Sequence, residues 1–191
     1  APTRMKGAMT RRLLLALPFS AGLGAAPRLR ALIVDGQNNH KAWPETTPIL
    51  KRWLEDSALF AVDVATTAPK GGDLSGFRPR FSDYDVVVSN YNGDAWPAET
   101  RLDFERFVGE GGGFVSVHAA DNAFPDWPAY NRMIAVGGWE GRTQSAGPYL
   151  RLREGRWVRD EATPGPGGHH GDRHSFAVEI RVPEHPIVRG L

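Results

Sequence analysis

The side chains able to do chemistry in this chain gather into a few short stretches. Asp35-Gly36-Gln37-Asn38-Asn39-His40-Lys41-Ala42-Trp43 is the first, Ser89-Asn90-Tyr91-Asn92-Gly93-Asp94 the second, and His118-Ala119-Ala120-Asp121-Asn122-Ala123-Phe124 the third. Amides and carboxylates exchange hydrogen bonds with hydroxyl groups, and flat aromatic faces cover the apolar side of a ring. With Trp43, Tyr91 and Trp96 close by in sequence, the combination suits a sugar-like ligand. Histidine titrates near neutral pH and can give or take a proton there. His118, His40, Asp94 and His170 are therefore the candidate catalytic residues. Asp35, Asn39, Trp43, Asn90, Asn92 and Asn122 are the candidates for holding the ligand. Asp35 and Asp94 would orient the histidines or bind hydroxyls. The bland alternative is that Asn, Asp and Gly only close turns between strands and helices.

His118 follows an apolar run directly, so it falls on a strand-to-helix turn. In α/β hydrolases and glutamine amidotransferases that turn carries the nucleophile. Histidine cannot form the usual acyl intermediate, but it could serve as an acid–base group or a metal ligand; a histidine that merely caps the next helix is the competing reading. A further cluster is Gly167-Gly168-His169-His170-Gly171-Asp172-Arg173-His174. His169, His170 and His174 are candidate metal ligands, or His170 closes over the site as part of an acid–base loop. A divalent metal is compatible with this sequence and is not demanded by it, because the spacing matches no tight zinc pattern.

The elements that must position these groups are legible in outline. Leu29–Val34, Phe60–Ala65, Tyr84–Ser89 and Phe114–Val117 are short aliphatic runs that read as buried strands. Residues 48–59 carry Ile49, Leu50, Trp53, Leu54 and Ala58 at helical spacing, with Pro48 at a first helical position. Asp94 to Pro97 opens a second helix, with Leu102, Phe104, Phe107 and Val108 on its apolar side and Gly111-Gly112-Gly113 at its end. Strand–helix–strand alternation predicts an α/β fold, a mainly parallel sheet with helices on both faces. Ligands then bind beyond the carboxyl ends of the strands, where all three polar clusters fall. In the C-terminal third, Tyr149–Leu152 and Phe176–Val182 alternate and predict extra strands, joined by a glycine-rich loop at 160–174.

Composition bounds the rest. The chain has 191 residues, of which 41% are hydrophobic and 24% charged, ordinary for a globular domain. Residues 1–26 read as a leader: Met9-Thr10-Arg11-Arg12 precedes a short apolar run that ends in Gly24-Ala25-Ala26. Paired arginines suggest the twin-arginine export route, hence a periplasmic or secreted protein. The run is shorter than the roughly 20 residues a membrane span needs. Residues 27–191 then form one domain, and both chain ends read as cuts in a longer frame. All six charges in residues 1–30 are basic, leaving 17 basic against 22 acidic side chains from residue 31 on. A mildly acidic domain without a basic stripe is a poor nucleic-acid binder. Absence of cysteine removes disulfides, thiolate metal sites and a thiol nucleophile.

The motifs together resemble a known family. Asp35–His40, Tyr84–Gly93, Gly111–Ala120, Gly168–Gly171 and His185-Pro186-Ile187 occur in the order seen in the trehalose-utilisation (ThuA-like) family, over about Leu29 to Leu191. The resemblance implies the class I glutamine-amidotransferase-like fold: a flavodoxin-like three-layer sandwich with β additions. It also implies a role in bacterial carbohydrate metabolism. The superfamily's elbow cysteine is His118 here, so thioester chemistry on glutamine is excluded. Two functional readings remain. One is an exported enzyme, a hydrolase, lyase or isomerase acting on a sugar, glycoside or keto-sugar through His/Asp acid–base chemistry. The other is a non-catalytic carbohydrate-binding or scaffold module. Either would bind a small sugar, and a homo-oligomer is compatible with both.

Overall fold

The computed structural model describes residues 27–135, 141–168 and 171–190. Four parallel strands form the central sheet: β1 (Leu29–Asp35), β2 (Phe60–Thr66), β3 (Val86–Ser89) and β4 (Gly113–Ser116), in the order β2-β1-β3-β4. Helix α1 (Trp43–Asp56) connects β1 to β2, and α2 (Ala98–Gly109) connects β3 to β4. A 3-10 turn (His118–Asn122) and a short helix α3 (Pro128–Ile134) follow β4.

Each face of the sheet is covered because β1 is apolar on both. Ala31 and Ile33 join Val62 and Val88 under Leu50 and Leu54 of α1. Leu32, Val34 and Val87 face the other way, against Phe104 and Phe107 of α2 and Tyr130 of α3. The near-continuous Ala31–Val34 run is what a strand buried on both sides requires. The second layer is dominated by aromatic rings. Phe124 packs at 5.0 Å from Trp96 and 5.6 Å from Tyr91, and Trp96 and Tyr91 are fully enclosed. These two rings belong to the core and not to the ligand surface that sequence proximity suggested.

Helix α1 starts five residues before the expected 48. Two prolines offer a first-turn position, and it is Pro44 that occupies it, leaving Pro48 inside the helix. Trp53 is 64% exposed and Leu102 is 58% exposed, so neither belongs to its helix's packed face. The C-terminal third departs further. Strand β5 (Tyr149–Arg153) pairs antiparallel with β6 (Arg156–Asp160), which the sequence reading missed. Glu154 and Gly155 both take positive φ, 49° and 75°, which is the geometry of a tight two-residue hairpin turn. Phe176–Val182 forms no strand: Phe176 and Val178 are 78% and 80% exposed, and no described strand pairs with this stretch. Alternation records a strand's two faces, but a ladder also needs a neighbour, and β5 has taken the local one at small loop cost. Among the described residues no helix is long and apolar enough to cross a membrane.

Candidate functional site

All four loops that leave the carboxyl ends of the parallel strands converge. They line a cleft of about 490 Å³ bordered by Asn38, Asn39, Trp43, Lys70, Asn92, Asp94 and Asn122, with Phe124 and Pro125 as its apolar wall. The strand order reverses direction at β1 and β3, and it is beyond such a point that an open α/β sheet binds ligands.

The loops are tied to one another by side chains that sequence clustering alone would have assigned to the ligand. Gln37 is buried. Its Nε2 donates to the Ala68 carbonyl at 2.8 Å, and its Oε1 accepts from the Asp94 N–H at 2.8 Å. The Asn92 N–H donates to the Gln37 carbonyl at 2.9 Å, so one residue joins the loops after β1, β2 and β3. Gly93 must lack a side chain here, since a Cβ would lie 2.2 Å from Gln37 Oε1 and 2.4 Å from Gln37 Cβ. Gly36 takes φ 117°, and a Cβ on it would lie 2.5 Å from the Thr67 backbone nitrogen. Asp94 holds the β2 loop from the other side by accepting the Gly71 N–H at 2.6 Å.

His118 takes φ 48°, left-handed and uncommon for a residue with a Cβ. The bend turns its ring out of the sheet direction and leaves it exposed, which is how a strand-to-helix elbow presents its central residue. Ser116 donates its hydroxyl to Asp121, closing the turn beneath it. His40 is held by a different device: its N–H donates to Asn38 Oδ1 at 2.9 Å, and its carbonyl accepts from Trp43 at the start of α1. These two backbone fixtures bring the imidazoles of His40 and His118 to 4.7 Å between ring centres, inclined at 38°. His40 follows cleft-lining Asn39 directly, and His118 opens the turn that carries cleft-lining Asn122.

The remaining candidates divide cleanly. Asn39, Trp43, Asn92, Asp94 and Asn122 line the cleft. Asp35 is 3% exposed and accepts the Thr66 hydroxyl at 2.6 Å. Asn90 is 4% exposed and donates to Thr47 Oγ1 at 3.0 Å. Both brace the rim and do not face the cleft. His174 is exposed and lies at the Ser175 carbonyl, with Phe176 as its ring neighbour. His169 and His170 lie outside the described residues. Among the described residues no group of three or more His, Asp or Glu could hold a metal ion. Lys70 and Asn38 join the cleft unforeseen; the signal for Lys70 was its position just past the end of β2, on the same rim.

Arg142 is a second residue that sequence reasoning passed over. It is 4% exposed. Its guanidinium donates to Asn131 Oδ1 at 2.8 Å and to the Asn122 and Ala123 carbonyls at 2.9 and 2.6 Å. It braces the far end of the His118 turn. A larger hollow of about 620 Å³ lies at the opposite rim, where β3 and β4 begin. Its arginines are already satisfied: Arg78 pairs with Glu99, Arg80 with Asp83 and Arg106 with Asp103. That leaves the carboxyl-end cleft as the better candidate.

Known proteins share the sequence pattern and the fold. The family "ThuA: Trehalose utilisation" matches residues 30–191. A crystal structure of a putative ThuA-like protein from Parabacteroides merdae is 46% identical, with a TM-score of 0.81 over 86% of this chain. The chain spans 58% of that protein's length. A putative ThuA-like protein from Bacteroides uniformis is 24% identical over 65% of this chain and 53% of its own, with a TM-score of 0.45. No curated protein matches.

Proposed function

The chain belongs to the trehalose-utilisation (ThuA) family, and on that premise we propose that it is an exported enzyme acting on a sugar, glycoside or keto-sugar by acid–base chemistry at His118 and His40. One observation carries the proposal: two exposed imidazoles lie 4.7 Å apart, each fixed by its own backbone turn, on the two loops that also send Asn39 and Asn122 into a polar cleft. A neutral imidazole takes a proton from a hydroxyl or an activated C–H, and an imidazolium returns one to a departing or carbonyl oxygen. Asn39, Asn92 and Asn122 offer both donors and acceptors to ring hydroxyls, Trp43 offers a flat apolar face, and Asp94 contributes the cleft's negative charge. Hydrolysis, isomerisation and elimination all use this equipment. The basic, apolar leader of residues 1–26 supports a periplasmic or secreted location.

The test is turnover of trehalose, other glucosides and their 3-keto forms by the full-length protein. Positioned acid–base groups contribute about 10²–10⁴-fold, so His118→Ala and His40→Ala should each lose at least about a hundredfold in kcat. Wild-type kcat in both variants would overturn the assignment.

A further inference from the structure

The two rims of the sheet handle their cations differently. At the amino-end hollow each lining arginine has a carboxylate partner, Arg78 with Glu99, Arg80 with Asp83 and Arg106 with Asp103. In the carboxyl-end cleft, Lys70 is the one cation and Asp94 the one anion among the described lining residues. They form no described ion pair, and the lysine ion pair that is described joins Lys51 to Glu55. Asp94 instead accepts the N–H of Gly71, the residue next to Lys70. We propose that Lys70 is the specificity residue of this cleft, and that the sugar it selects carries one carboxylate. The inference rests on the sugar reading above and narrows it to sugar acids.

The backbone presents Lys70 in a fixed place. The Pro69 carbonyl accepts the Gly72 N–H at 2.8 Å, and Gly71 takes φ 78°. Lys70 is thus the second residue of a tight turn whose third position needs the left-handed region. The turn is tied on both sides, by Gln37 to the Ala68 carbonyl at 2.8 Å and by the Gly71 N–H to Asp94 at 2.6 Å. The side chain itself is exposed and makes no described hydrogen bond. An ammonium is a compact point charge with three rotatable donors, suited to a carboxylate. The charge count favours that group over phosphate. One cation matches one negative charge, whereas a phosphate ester carries about −1.5 to −2 at neutral pH. Asp94 would repel the second charge. Asp94 also orients the ligand: the acid group goes to Lys70, and ring hydroxyls go to Asp94 and Asn92.

Calorimetry of the full-length protein with D-glucose, D-glucuronate, D-gluconate and D-glucose 6-phosphate tests this without turnover. Glucuronate differs from glucose only in its carboxylate, and gluconate offers the same group on an open chain. At least one of the two acids should bind about fivefold or more tighter than glucose and the phosphate. Lys70→Gln should erase that margin, Lys70→Arg should keep most of it, and salt at roughly 0.5 M should shrink it. Lys41→Gln removes a cation of the same rim that does not line the cleft, and should keep the margin. Urea midpoints of both Lys70 variants should match that of wild type, so a lost margin reads recognition and not unfolding. Four results would each overturn the role of Lys70 and leave the sugar reading standing. These are glucose binding as tightly as both acids, the phosphate binding tightest, Lys70→Gln keeping the margin, or Lys41→Gln losing as much of it. No binding of any of the four by ~10 mM would overturn the sugar reading and this inference together.

Discussion

Gln37 joins three rim loops through one buried amide, and that makes a sharp prediction about stability. Gln37→Met keeps the side chain's length and volume but removes its donor and acceptor. The Ala68 carbonyl and the Asp94 N–H, each now at 2.8 Å from the amide, would lose their partners. An orphaned buried polar group costs about 1–3 kcal/mol; the cleft admits some water, which favours the lower half of that range, so the pair should cost about 2–4 kcal/mol. With a urea dependence of about 2 kcal/mol/M, the unfolding midpoint falls by about 1–2 M. Gln37→Glu is the more searching variant. One oxygen still accepts from Asp94, but the other confronts the Ala68 carbonyl, where only a protonated carboxyl can donate. The folded state therefore raises this carboxyl above its usual value near 4.3. Its hydrogen bonds are fully present below that value and are lost as pH rises through the raised one. Every unit of elevation removes about 1.4 kcal/mol by neutral pH. Urea midpoints of wild type and Gln37→Glu should coincide near pH 4 and diverge by pH 7. If Gln37→Met loses under 0.5 kcal/mol, or the Glu variant tracks wild type at all pH values, the amide does not hold the rim.

At position 118 the backbone conformation favours glycine, because φ is 48°. His118→Gly should be more stable to urea than His118→Ala by about 1 kcal/mol, though both lose function; equal stabilities would show that the turn carries no strain. Far from the cleft, Asp160 is held down to about 2, first by the Thr163 hydroxyl and then by the Thr163 N–H. Its depressed value means that its stabilising bonds are complete above about pH 4 and lost as pH falls through about 2. A carboxyl carbon-13 titration should place the Asp160 midpoint near 2, and Thr163→Val should raise it; a wild-type midpoint near 4 would show that the bonds do not form in solution.

The parallel sheet was legible because its signal is strong and local. The Ala31–Val34 and Val86–Val88 runs have no polar face, and each ends at a turn-forming polar cluster. In the C-terminal third, Tyr149–Leu152 is the strand the sequence suggests, but its partner lies elsewhere for a physical reason. Phe176–Val182 alternates more clearly than Arg156–Asp160, yet Arg156–Asp160 is the strand, because the Glu154-Gly155 turn folds it straight back onto β5. Turn geometry outweighed periodicity there, and Glu-Gly is a weaker written signal than Asn-Gly. Arg142 was invisible for the opposite reason. Its three described acceptors come from residues 11 to 20 positions earlier in the chain, and two of them are backbone carbonyls with no side-chain signature.

The three polar stretches picked out from the sequence all send residues to one cleft, but their order along the chain does not say which amides face outward. The structure supplies a rule. The last residue of a strand, or the first beyond it, still lies in the hydrogen-bonded ladder, where neighbouring strands cover its side chain. Asp35 ends β1 and is bound by Thr66; Asn90 is one past β3, donates its N–H to Val34 and is bound by Thr47. Two positions past the strand end, Gln37 and Tyr91 are still buried, and it is from the third position on that Asn39, Asn92, Asp94 and Asn122 line the cleft. The two groups should therefore fail differently. Asp35→Ala or Asn90→Ala removes a buried partner and should lower stability by about 1–3 kcal/mol, with ligand binding declining alongside. Asn39→Ala or Asn92→Ala should leave the urea midpoint within about 0.5 kcal/mol of wild type and weaken sugar binding alone. Parallel urea unfolding and calorimetry on the four variants would separate the groups. Stability losses at Asn39 and Asn92 equal to those at Asp35 and Asn90 would mean that the cleft-lining amides are braces too, and the cleft would lose its claim to be the site.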